Sequence, residues 1–473
     1  MAECLVLVTG ATGYIASRLI PHLLDLGYRV RCLARDPHRL QARAWFPYVD
    51  VVAGDVMIPS SLPAALEGVH TAYYLIHNMA SGRGYTARET DGAQNFVRAA
   101  EGAGLRHIIY LGGLADPARA ISYHMRSRIE TGENLRAGKV PVTEFRTGVI
   151  VGPGSISFEM IRFMTELMPV IFGPAWLQNR AQPIAAQNVI DYLLAALEDP
   201  IGQNRVFEIG GPDLMAYADL MLTYGRLRGL RRWYVITPGM PVWFMALGVA
   251  WMTPVPKAIA TPLVDGMRSE SVVQDDVARL AFPSVRLVGY EEAVKSALAR
   301  LHPTCLEQTW NGCQPPVQVL KSEGFFIDHR CVEVRAAPGK VFEVVTSLGG
   351  KNGWPYADWL WQVRGWLNRL LGGPGMRGRP ANLNPGDALD FYRVEALEDG
   401  RLLRLAAELK SPGQGWMEWR LEAAGRHTVL AQTGFFAPRG LPGFLYWLLL
   451  APIHRLVFAG LLRKISEQSE KRK

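Results

Sequence analysis

Cysteine is scarce in this chain, which has five among 473 residues. No two of them form a Cys-x-x-Cys pair and their number is odd, so neither a disulfide framework nor a zinc site is expected. The pattern predicts free thiols in a reduced, cytoplasmic interior and no bound metal. The cysteines are Cys4, Cys32, Cys305, Cys313 and Cys331.

Long basic runs are also missing, although the formal net charge is +8. Basic residues are scattered along the chain, apart from a short tail at 470–473. Proteins that bind nucleic acid usually carry a basic patch or a basic-aromatic module. No nucleic-acid partner is therefore expected, and a solvated surface explains the charge.

Uninterrupted apolar runs of the length of a membrane-spanning helix are absent as well. The first predicted strand begins almost at Met1, so no signal peptide is expected. Two stretches come near: 241–256 is short and bounded by prolines, and 443–462 is interrupted by a proline, a histidine and an arginine. Each is either buried core or a seat on a membrane surface, because aromatic residues accompany the aliphatic ones. We expect a cytoplasmic protein, with peripheral membrane contact through 443–470 as the alternative.

At its start the chain has a strand, a glycine turn and a helix in succession. Residues 5–8 are apolar, two glycines three apart follow, and apolar residues then recur at helical spacing. Residues without Cβ let backbone N–H groups approach a pyrophosphate, and a helix N-terminus adds its positive end. This order predicts a dinucleotide-binding turn, with a purely structural turn as the alternative. The expected cofactor contacts are Thr9, Gly10, Ala11, Thr12, Gly13, Tyr14 and Ile15.

Arg35 follows the second predicted strand, where the adenosine ribose of a dinucleotide lies. A cation there pairs with the 2′-phosphate of NADP, whereas a carboxylate accepts from the 2′-OH of NAD. Asp36 comes next, yet Arg35 holds the first position, so NADP (NADPH) is favoured over NAD. The ends of the third and fourth strands also border the site, and helix capping is the alternative role of the carboxylate there. The contacts expected from these ends are Asp55, Val56, Ile76 and His77.

Strands and helices alternate from the N-terminus to about residue 150. Such alternation implies right-handed crossovers and a parallel, doubly wound α/β sheet of the Rossmann kind. Residues from about 156 to 302 complete this first domain, 1–302, and are expected to supply the substrate side. Trp, Met and Phe are concentrated in 233–252. They suggest a lid over an apolar substrate, with core packing as the alternative.

These features together resemble the short-chain dehydrogenase/reductase superfamily in its atypical, extended, NmrA-like form. The resemblance covers roughly residues 3–300 and rests on the glycine turn, on Arg35 and on three further segments. It implies an NAD(P)-binding Rossmann domain that serves either an oxidoreductase or a non-catalytic sensor or assembly protein. The further segments are Gly54-Asp55-Val56, Thr90-Asp91-Gly92-Ala93-Gln94-Asn95 and Phe145-Arg146-Thr147-Gly148-Val149-Ile150-Val151-Gly152.

Catalytically complete members of that family carry a serine after the fifth strand and Tyr-x-x-x-Lys on the next helix. This chain has two glycines in place of the serine, and the residue four after Tyr123 is Ser127. His124 and Arg128 are also four apart, so both can face the cofactor. We expect His124 to replace the tyrosine as acid/base and Arg128 to hold ribose or phosphate, with Tyr123 as the other catalytic candidate. The alternative is that this helix is not catalytic.

A second domain follows residues 303–322, a Pro/Gly-containing stretch without periodicity that is predicted to be a linker. Residues 323–473 show a strand, a helix, four strands and a long C-terminal helix. This architecture resembles the helix-grip fold of START and related SRPBCC proteins, which implies an α+β domain with a ligand cavity. A well-filled core would show a similar pattern. The aromatic residues expected at the cavity are Trp354, Trp359, Trp361, Phe391, Trp416, Trp419 and Phe436.

The sequence thus predicts an NAD(P)H-dependent oxidoreductase for a quinone-, enone- or lipid-like substrate, which the C-terminal domain delivers or shields. The apolar lid and the fused domain favour this function. The missing serine and lysine favour the alternative, a non-catalytic NAD(P)H-binding sensor or assembly protein.

Overall fold

The protein divides into two compact units. Unit 1 comprises Met1–Arg300 and Glu307–Thr309, and unit 2 comprises Leu301–Leu306 and Trp310–Lys473. The computed structural model describes residues 4–77, 84–115, 122–198, 204–307 and 315–471.

Unit 1 alternates strands and helices for most of its length. Its strands are β1 Leu5–Thr9, β2 Arg29–Ala34, β3 Asp50–Ala53, β4 Thr71–Tyr74, β5 His107–Gly113, β6 Val142–Thr147, β7 Ile150–Val151, β8 Val170–Gly173, β9 Arg180–Ala181, β10 Ile184–Ala185, β11 Arg205–Ile209, β12 Met215–Ala216 and β13 Trp233–Ile236. Its helices are α1 Tyr14–Asp25, α2 Leu62–Leu66, α3 Tyr85–Gly102, α4 Tyr123–Arg136, α5 Ile156–Leu167, α6 Ala186–Glu198, α7 Tyr217–Arg228, α8 Val242–Met252, α9 Lys257–Gly266, α10 Val277–Ala281 and α11 Tyr290–Ala299.

Seven of these strands form one parallel sheet in the order β11-β6-β5-β4-β1-β2-β3. The predicted doubly wound sheet is therefore confirmed. Helices cover both faces: Leu19 of α1 and Leu193 of α6 belong to one core cluster, and Phe96 of α3 and Leu135 of α4 belong to the other. The strand order reverses beside β1, and the carboxyl ends at such a reversal form the crevice where doubly wound sheets bind ligands.

A third core cluster of unit 1 lies beyond the sheet, in the region predicted to face the substrate. It brings together apolar residues of α5, α7, α8, α9 and α11, among them Phe158, Tyr224, Val249 and Val264. These side chains are packed against one another, which agrees with core packing for part of the aromatic and methionine-rich segment.

Unit 2 is a second, antiparallel sheet with helices. Its strands follow the order β14-β15-β20-β19-β18-β17-β16. The long C-terminal helix α14 packs on β15 and β20, which confirms the predicted α+β class. The elements are β14 Val317–Ser322, β15 Phe325–Val334, α12 Pro338–Thr346, α13 Asp358–Leu370, β16 Ala388–Leu389, β17 Tyr392–Glu398, β18 Leu402–Ala407, β19 Gly413–Ala424, β20 His427–Pro438 and α14 Gly440–Lys471.

Two features of unit 2 differ from the prediction. Part of the predicted linker 303–322 forms the edge strand β14, which pairs with β15 over its whole length. Edge strands show only a weak alternation of apolar and polar residues. Because prolines also precede this strand, the sequence pattern favoured a linker over a strand. The helix α13 was not predicted: of its residues, only Trp359 and Trp361 were considered, and both were assigned to a cavity wall.

The aromatic residues expected to line a cavity in unit 2 mostly pack against one another. Trp354 and Trp361 are stacked with ring centroids 4.2 Å apart. Trp419 is fully buried and donates to Gln432 Oε1 at 3.1 Å. Trp359, by contrast, is 66% exposed on α13. These side chains form a filled core and a surface face.

Of the helices in the described part of the chain, α14 is the one whose length and apolar composition match those of a membrane-spanning helix. A third of its most apolar window is buried within the structure, and a core helix of a soluble protein passes the same test.

Candidate functional site: a cavity at the carboxyl ends of the parallel strands

The glycine turn joins β1 to α1 at the point where the strand order reverses. Gly10 has φ +66°, and a Cβ on it would lie 2.7 Å from the carbonyl oxygen of Leu75, just after β4. The backbone N–H of Gly13 donates to the Gly10 carbonyl at 2.8 Å, which closes the turn. No side chain of the described residues caps the first turn of α1. A helix N-terminus without such a cap has the backbone geometry of an anion-binding site.

Arg35 and the carboxylate beside it play different parts in the structure. Arg35 is exposed at the end of β2. Asp36 instead caps a short 3-10 turn, where its Oδ1 accepts from the backbone N–H of His38 at 3.1 Å. The capping carboxylate is held in the turn, while the guanidinium remains available to a phosphate.

Asp55 and Val56 follow β3. Asp55 Oδ1 accepts from the backbone N–H of Met57 at 3.0 Å, so this carboxylate stabilises its own turn. It does not cap the helical segment that follows, where Ile58 and Ser61 hold the N-cap positions. Val56 is buried, and its carbonyl accepts from Asn95 on α3 at 3.0 Å. Neither residue lines the cavity described next.

A cavity of about 430 Å³ opens beside the glycine turn. One part of its wall is the nucleotide end, made by Gly13, Tyr14, Ile15, Leu75, Gly112 and Gly113. The wall continues without interruption into an apolar chamber, made by Met160, Ile161, Met164, Met245, Val249 and Leu263. The helices α5, α8 and α9 carry these chamber residues. A volume of this size accommodates a small organic molecule.

Two histidines of the cavity wall, His77 and His124, lie next to each other. The rings of His77 and His124 are stacked, with centroids 5.0 Å apart and planes at 23°. Glu89 Oε1 accepts from His77 Nδ1 at 2.8 Å, and its other oxygen accepts from Ser127. Since an ionised carboxylate only accepts, His77 carries its proton on Nδ1. The buried Glu89 therefore fixes the orientation of the His77 ring, and through it that of His124.

The charge states of these groups follow from burial. Burial lowers the pKa of His124 to about 3, and the charges of His77 and Arg128 act in the same direction. Burial also lowers the pKa of His77, against the hydrogen bond to Glu89. Burial raises the pKa of Glu89, but the bond from His77 and the charge of Arg128 outweigh it and bring that pKa to about 2. Near neutral pH both histidines are neutral and the glutamate is ionised.

Arg128 also lines the cavity, but its guanidinium is hydrogen-bonded to backbone carbonyls. One Nη donates to the Ile76 carbonyl at 3.2 Å, and the other donates to the carbonyl of Leu111. The guanidinium also stands over the Tyr110 ring, 5.0 Å from its centroid. Arg128 thus ties together the ends of β4 and β5, whose residues border the cavity.

Two buried polar atoms at the cavity have no hydrogen-bond partner among the described residues. They are Nδ1 of His124 and Oγ1 of Thr147. Buried polar groups are normally hydrogen-bonded, so an unpaired pair lining a cavity indicates a site for a polar ligand group.

The structure therefore sorts the predicted site residues. It brings His77, His124 and Arg128 together with Gly13, Tyr14 and Ile15 of the glycine turn at one cavity, whereas Thr9, Gly10, Ala11, Thr12, Arg35 and Ile76 are not part of its wall. Tyr123 does not belong there: it is 76% exposed and is not part of the cavity wall. Consecutive helical residues point about 100° apart. The side chain of Ser122 caps α4 and fixes which of the two neighbours faces inward.

Sequence reasoning missed two residues of the site, Glu89 and Thr147. Glu89 is 3% exposed on α3, and Thr147 ends β6. The signal for Thr147 was its position at the carboxyl end of a central strand. No local pattern marks Glu89, because its partners lie in another element. Among the described residues, no group of three or more His, Cys, Asp or Glu is arranged to hold a metal ion.

Two family models match the chain, one in each unit. Residues 10–128 match a family described as NAD(P)H-binding. This segment is an NAD(P)H-binding domain. Residues 323–461 match a family described as a protein of unknown function, DUF2867. The NAD(P)H-binding domain includes the glycine turn, Arg35 and both histidines.

Relatives of the NAD(P)H-binding domain include reductases. The chain is 27% identical over 227 residues to divinyl chlorophyllide a 8-vinyl-reductase of Zea mays, covering 45% of this chain and 56% of that protein. It is 30% identical over 176 residues to ceramide reductase of Caulobacter vibrioides, covering 36% and 55%. It is 24% identical over 212 residues to photosystem II assembly factor Ycf39 of Trieres chinensis, covering 43% and 63%. The chain thus spans less than two thirds of the length of these relatives.

Solved structures share the fold of unit 1. Triphenylmethane reductase of Citrobacter sp., complexed with NADP(H), superposes with a TM-score of 0.51 at 20% identity, covering 62% of this chain and 99% of that one. The NADPH-dependent quinone oxidoreductase QOR2 of Escherichia coli, complexed with NADPH, gives 0.51 at 16% identity, covering 62% and 99%. At these identities the likeness concerns the fold. Unit 1 has a Rossmann-like fold.

Proposed function

We propose that this protein is an NADPH-dependent oxidoreductase that reduces an apolar substrate. One observation carries the proposal: a single cavity joins the glycine turn to a chamber walled by methionine and aliphatic side chains. A protein that only sensed the nucleotide would have no need of this chamber. The relative named ceramide reductase supports an apolar substrate, and the one named divinyl chlorophyllide a 8-vinyl-reductase supports reduction.

The choice of NADPH rests on the second strand. Arg35 is exposed directly after β2, and Asp36 is engaged as a cap, which supports recognition of the 2′-phosphate of NADP. An acidic group that accepted from the 2′-OH of NAD would have to leave that cap. The uncapped N-terminus of α1 and the bare turn at Gly10 fit the pyrophosphate.

Two polar residues of the cavity wall, Thr147 and His124, orient the reacting group. When bound, the reduced nicotinamide supplies a hydride. Thr147 Oγ1 and the neutral His124 ring offer hydrogen bonds to a polar group of the substrate, such as a carbonyl oxygen. His124 does this as a neutral imidazole and not as an imidazolium acid, because burial keeps its pKa low. The apolar chamber holds the rest of the substrate and excludes water.

A second function is favoured by one observation. The guanidinium of Arg128, expected to hold ribose or phosphate, is bonded to the carbonyls of Ile76 and Leu111. Together with the relative named as an assembly factor, this supports an NAD(P)H-binding sensor or assembly protein without catalysis. Such a protein would bind NADPH and leave it reduced.

For unit 2 we propose a helix-grip domain of the SRPBCC kind, acting from the cytoplasm to deliver or shield the substrate. The antiparallel sheet with α14 packed across β15 and β20 supports this assignment. Its aromatic core is filled by the stacked Trp354 and Trp361, so a shielding role fits better than storage of a ligand in that core.

The test is oxidation of NADPH, followed at 340 nm, by the full chain with a panel of apolar quinones, enones, aldehydes and ketones. Val249→Trp adds bulk inside the chamber, and Leu247→Trp adds the same group on the exposed side of the same helix. We expect Val249→Trp to raise KM at least about tenfold with NADPH affinity unchanged, and Leu247→Trp to behave like the wild type. Tight NADPH binding without oxidation across the panel would support the sensor instead.

A further inference from the structure

The helix α8, which forms part of the cavity wall, lies in a segment without charged residues. Residues 233–256 contain no Asp, Glu, Lys or Arg, and they include α8. On the inner side of α8, Met245 and Val249 line the chamber. On its outer side, large apolar side chains are exposed instead of polar ones, which is unusual for a surface helix of a soluble protein. These outer residues are Trp243, Phe244, Leu247 and Trp251, with exposures of 65%, 54%, 47% and 81%.

Cations stand at both ends of this uncharged segment. Arg231 precedes it and Lys257 follows it, and both are exposed. An aromatic-rich apolar face flanked by cations is the composition of helices that lie in the interface of an anionic bilayer. A second protein chain would also cover apolar side chains, but the Trp-rich face with basic ends is complementary to lipid tails and anionic headgroups.

Unit 2 carries an independent surface of the same composition, made by one face of α13. Its apolar side chains recur at helical spacing and point away from the buried Trp361, Gly365 and Asn368. Between 359 and 371 the chain has two arginines and no acidic residue. The exposed side chains are Trp359, Val363, Trp366, Leu367, Leu370 and Leu371.

The first half of α14 continues this surface. Leu445, Leu448, Leu449, Ile453 and Leu456 are between 45% and 76% exposed along one face. Arg364 of α13 donates to Tyr446 of α14 and lies over its ring, 5.3 Å from the centroid. On each helix the contact residue lies at the edge of the exposed apolar face, so the two faces adjoin. Residues 439–466 contain four basic residues and no acidic one.

The contacts of this half of α14 suit a helix that lies along a membrane, not one that crosses it. Its other face is occupied by the sheet: Phe444 packs on Phe326 with ring centroids 5.2 Å apart, and Trp447 stacks on Phe436 at 5.6 Å. Crossing a bilayer would strip these contacts, whereas a helix in the plane of the interface keeps them and buries its free face in lipid.

We propose that the protein docks on an anionic membrane surface through α8 and through the adjoining faces of α13 and α14, and that its cavity takes a lipid-phase substrate from that membrane beneath α8. The substrate part of this inference rests on the proposed function. The docking part does not rest on it, because docking depends on exposed side chains and not on catalysis.

Flotation of the full chain with vesicles of phosphatidylcholine, with and without an equal amount of phosphatidylglycerol, tests the docking. We expect binding to the mixed vesicles that weakens with salt. The double variant Trp243→Glu/Trp251→Glu and the double variant Trp366→Glu/Leu370→Glu should each reduce the bound fraction at least about tenfold, since each takes two large apolar groups out of lipid. Circular dichroism and NADPH affinity verify that the variants are folded.

Two matched controls carry the same change on exposed apolar residues elsewhere. They are Leu280→Glu on α10 of unit 1, 79% exposed, and Val319→Glu on the edge strand of unit 2, 48% exposed. Both should float like the wild type. Wild-type protein that fails to float, or that forms a dimer by light scattering whose formation depends on Trp243 or Trp366, would overturn the docking.

Substrate entry is tested separately with a long-chain quinone held in vesicles and a short, water-soluble quinone. Trp243→Glu/Trp251→Glu should slow NADPH oxidation by the vesicle quinone at least about tenfold and leave the rate with the soluble one unchanged. Equal rates of wild type and variant with the vesicle quinone would overturn entry beneath α8. If neither quinone is reduced by the wild type, the proposed function fails, whereas flotation still decides the docking.

Discussion

Replacing Gly10 by alanine tests the nucleotide site through its backbone. The residue has φ +66°, a conformation that costs an L-residue roughly 1–2 kcal/mol. The new Cβ would also lie 2.7 Å from the Leu75 carbonyl oxygen, where ordinary contact begins at 3.4 Å. The turn must therefore shift by about 0.7 Å, the difference of these two distances, because the clashing atom belongs to the backbone after β4 and cannot rotate away.

Gly27 supplies the matched control. It has φ +83°, and a Cβ on it would meet nothing within 4 Å. Gly27→Ala should lower the free energy of unfolding by about 1–2 kcal/mol, and Gly10→Ala by at least that much because of its additional clash, measured by urea denaturation. Only Gly10→Ala should weaken NADPH, by about tenfold or more, since one hydrogen bond to a charged group contributes roughly 1.5–3 kcal/mol. Equal NADPH affinities of the two variants in a calorimetric titration would refute this reasoning.

Further predictions concern the cation at β2 and the histidine at the cavity. Arg35→Ser should lower the affinity for NADPH at least about tenfold and leave the affinity for NADH unchanged. Arg29→Ser, at the start of β2, should change neither affinity. Equal losses of affinity for both nucleotides in Arg35→Ser would exclude a role of Arg35 in phosphate recognition. His124→Phe should lower turnover at least about tenfold, whereas oxidation unchanged in rate would remove His124 from the reaction. The pKa of His124 is about 3 in the folded chain against an ordinary 6.5, so the unfolded chain binds the extra proton below pH 6.5. Between pH 7 and pH 5 this group alone should lower the free energy of unfolding by about 2 kcal/mol, and His124→Gln should remove that part of the pH dependence.

The nucleotide half of the site was readable from the sequence because its signals are local. β1, the glycine turn and α1 follow one another within 25 residues, and each depends on its own side chains. The order of the later strands follows from the handedness of their connections. The position of Arg35 follows from the same rule, since it comes directly after the second strand.

The rest of the site depends on contacts between distant residues. Glu89 reaches His77 and Ser127 across 12 and 38 positions of the chain, and no spacing rule connects them. The choice between Tyr123 and His124 depends on the rotational phase of α4, which its cap determines. Counting four residues forward gave Ser127 from Tyr123 and the cation Arg128 from His124, and of the two candidates the buried His124 lines the cavity.

In unit 2, the helix α13 shows why exposed apolar side chains mislead. Trp359, Val363, Trp366 and Leu370 have the spacing of a helical face. Such a face usually points to the core, and Trp359 was accordingly expected to line a cavity. Here the face points outward, and the membrane docking proposed above would account for its composition.

Calorimetric titration of NADPH into the full chain, with NADH as the comparison, tests the cavity most directly. The structure predicts one NADPH per chain, bound more tightly than NADH, and an affinity that Val249→Trp leaves intact while Gly10→Ala reduces it. If neither nucleotide binds, the whole interpretation of unit 1 is contradicted. This result would not depend on the membrane or the substrate proposed above.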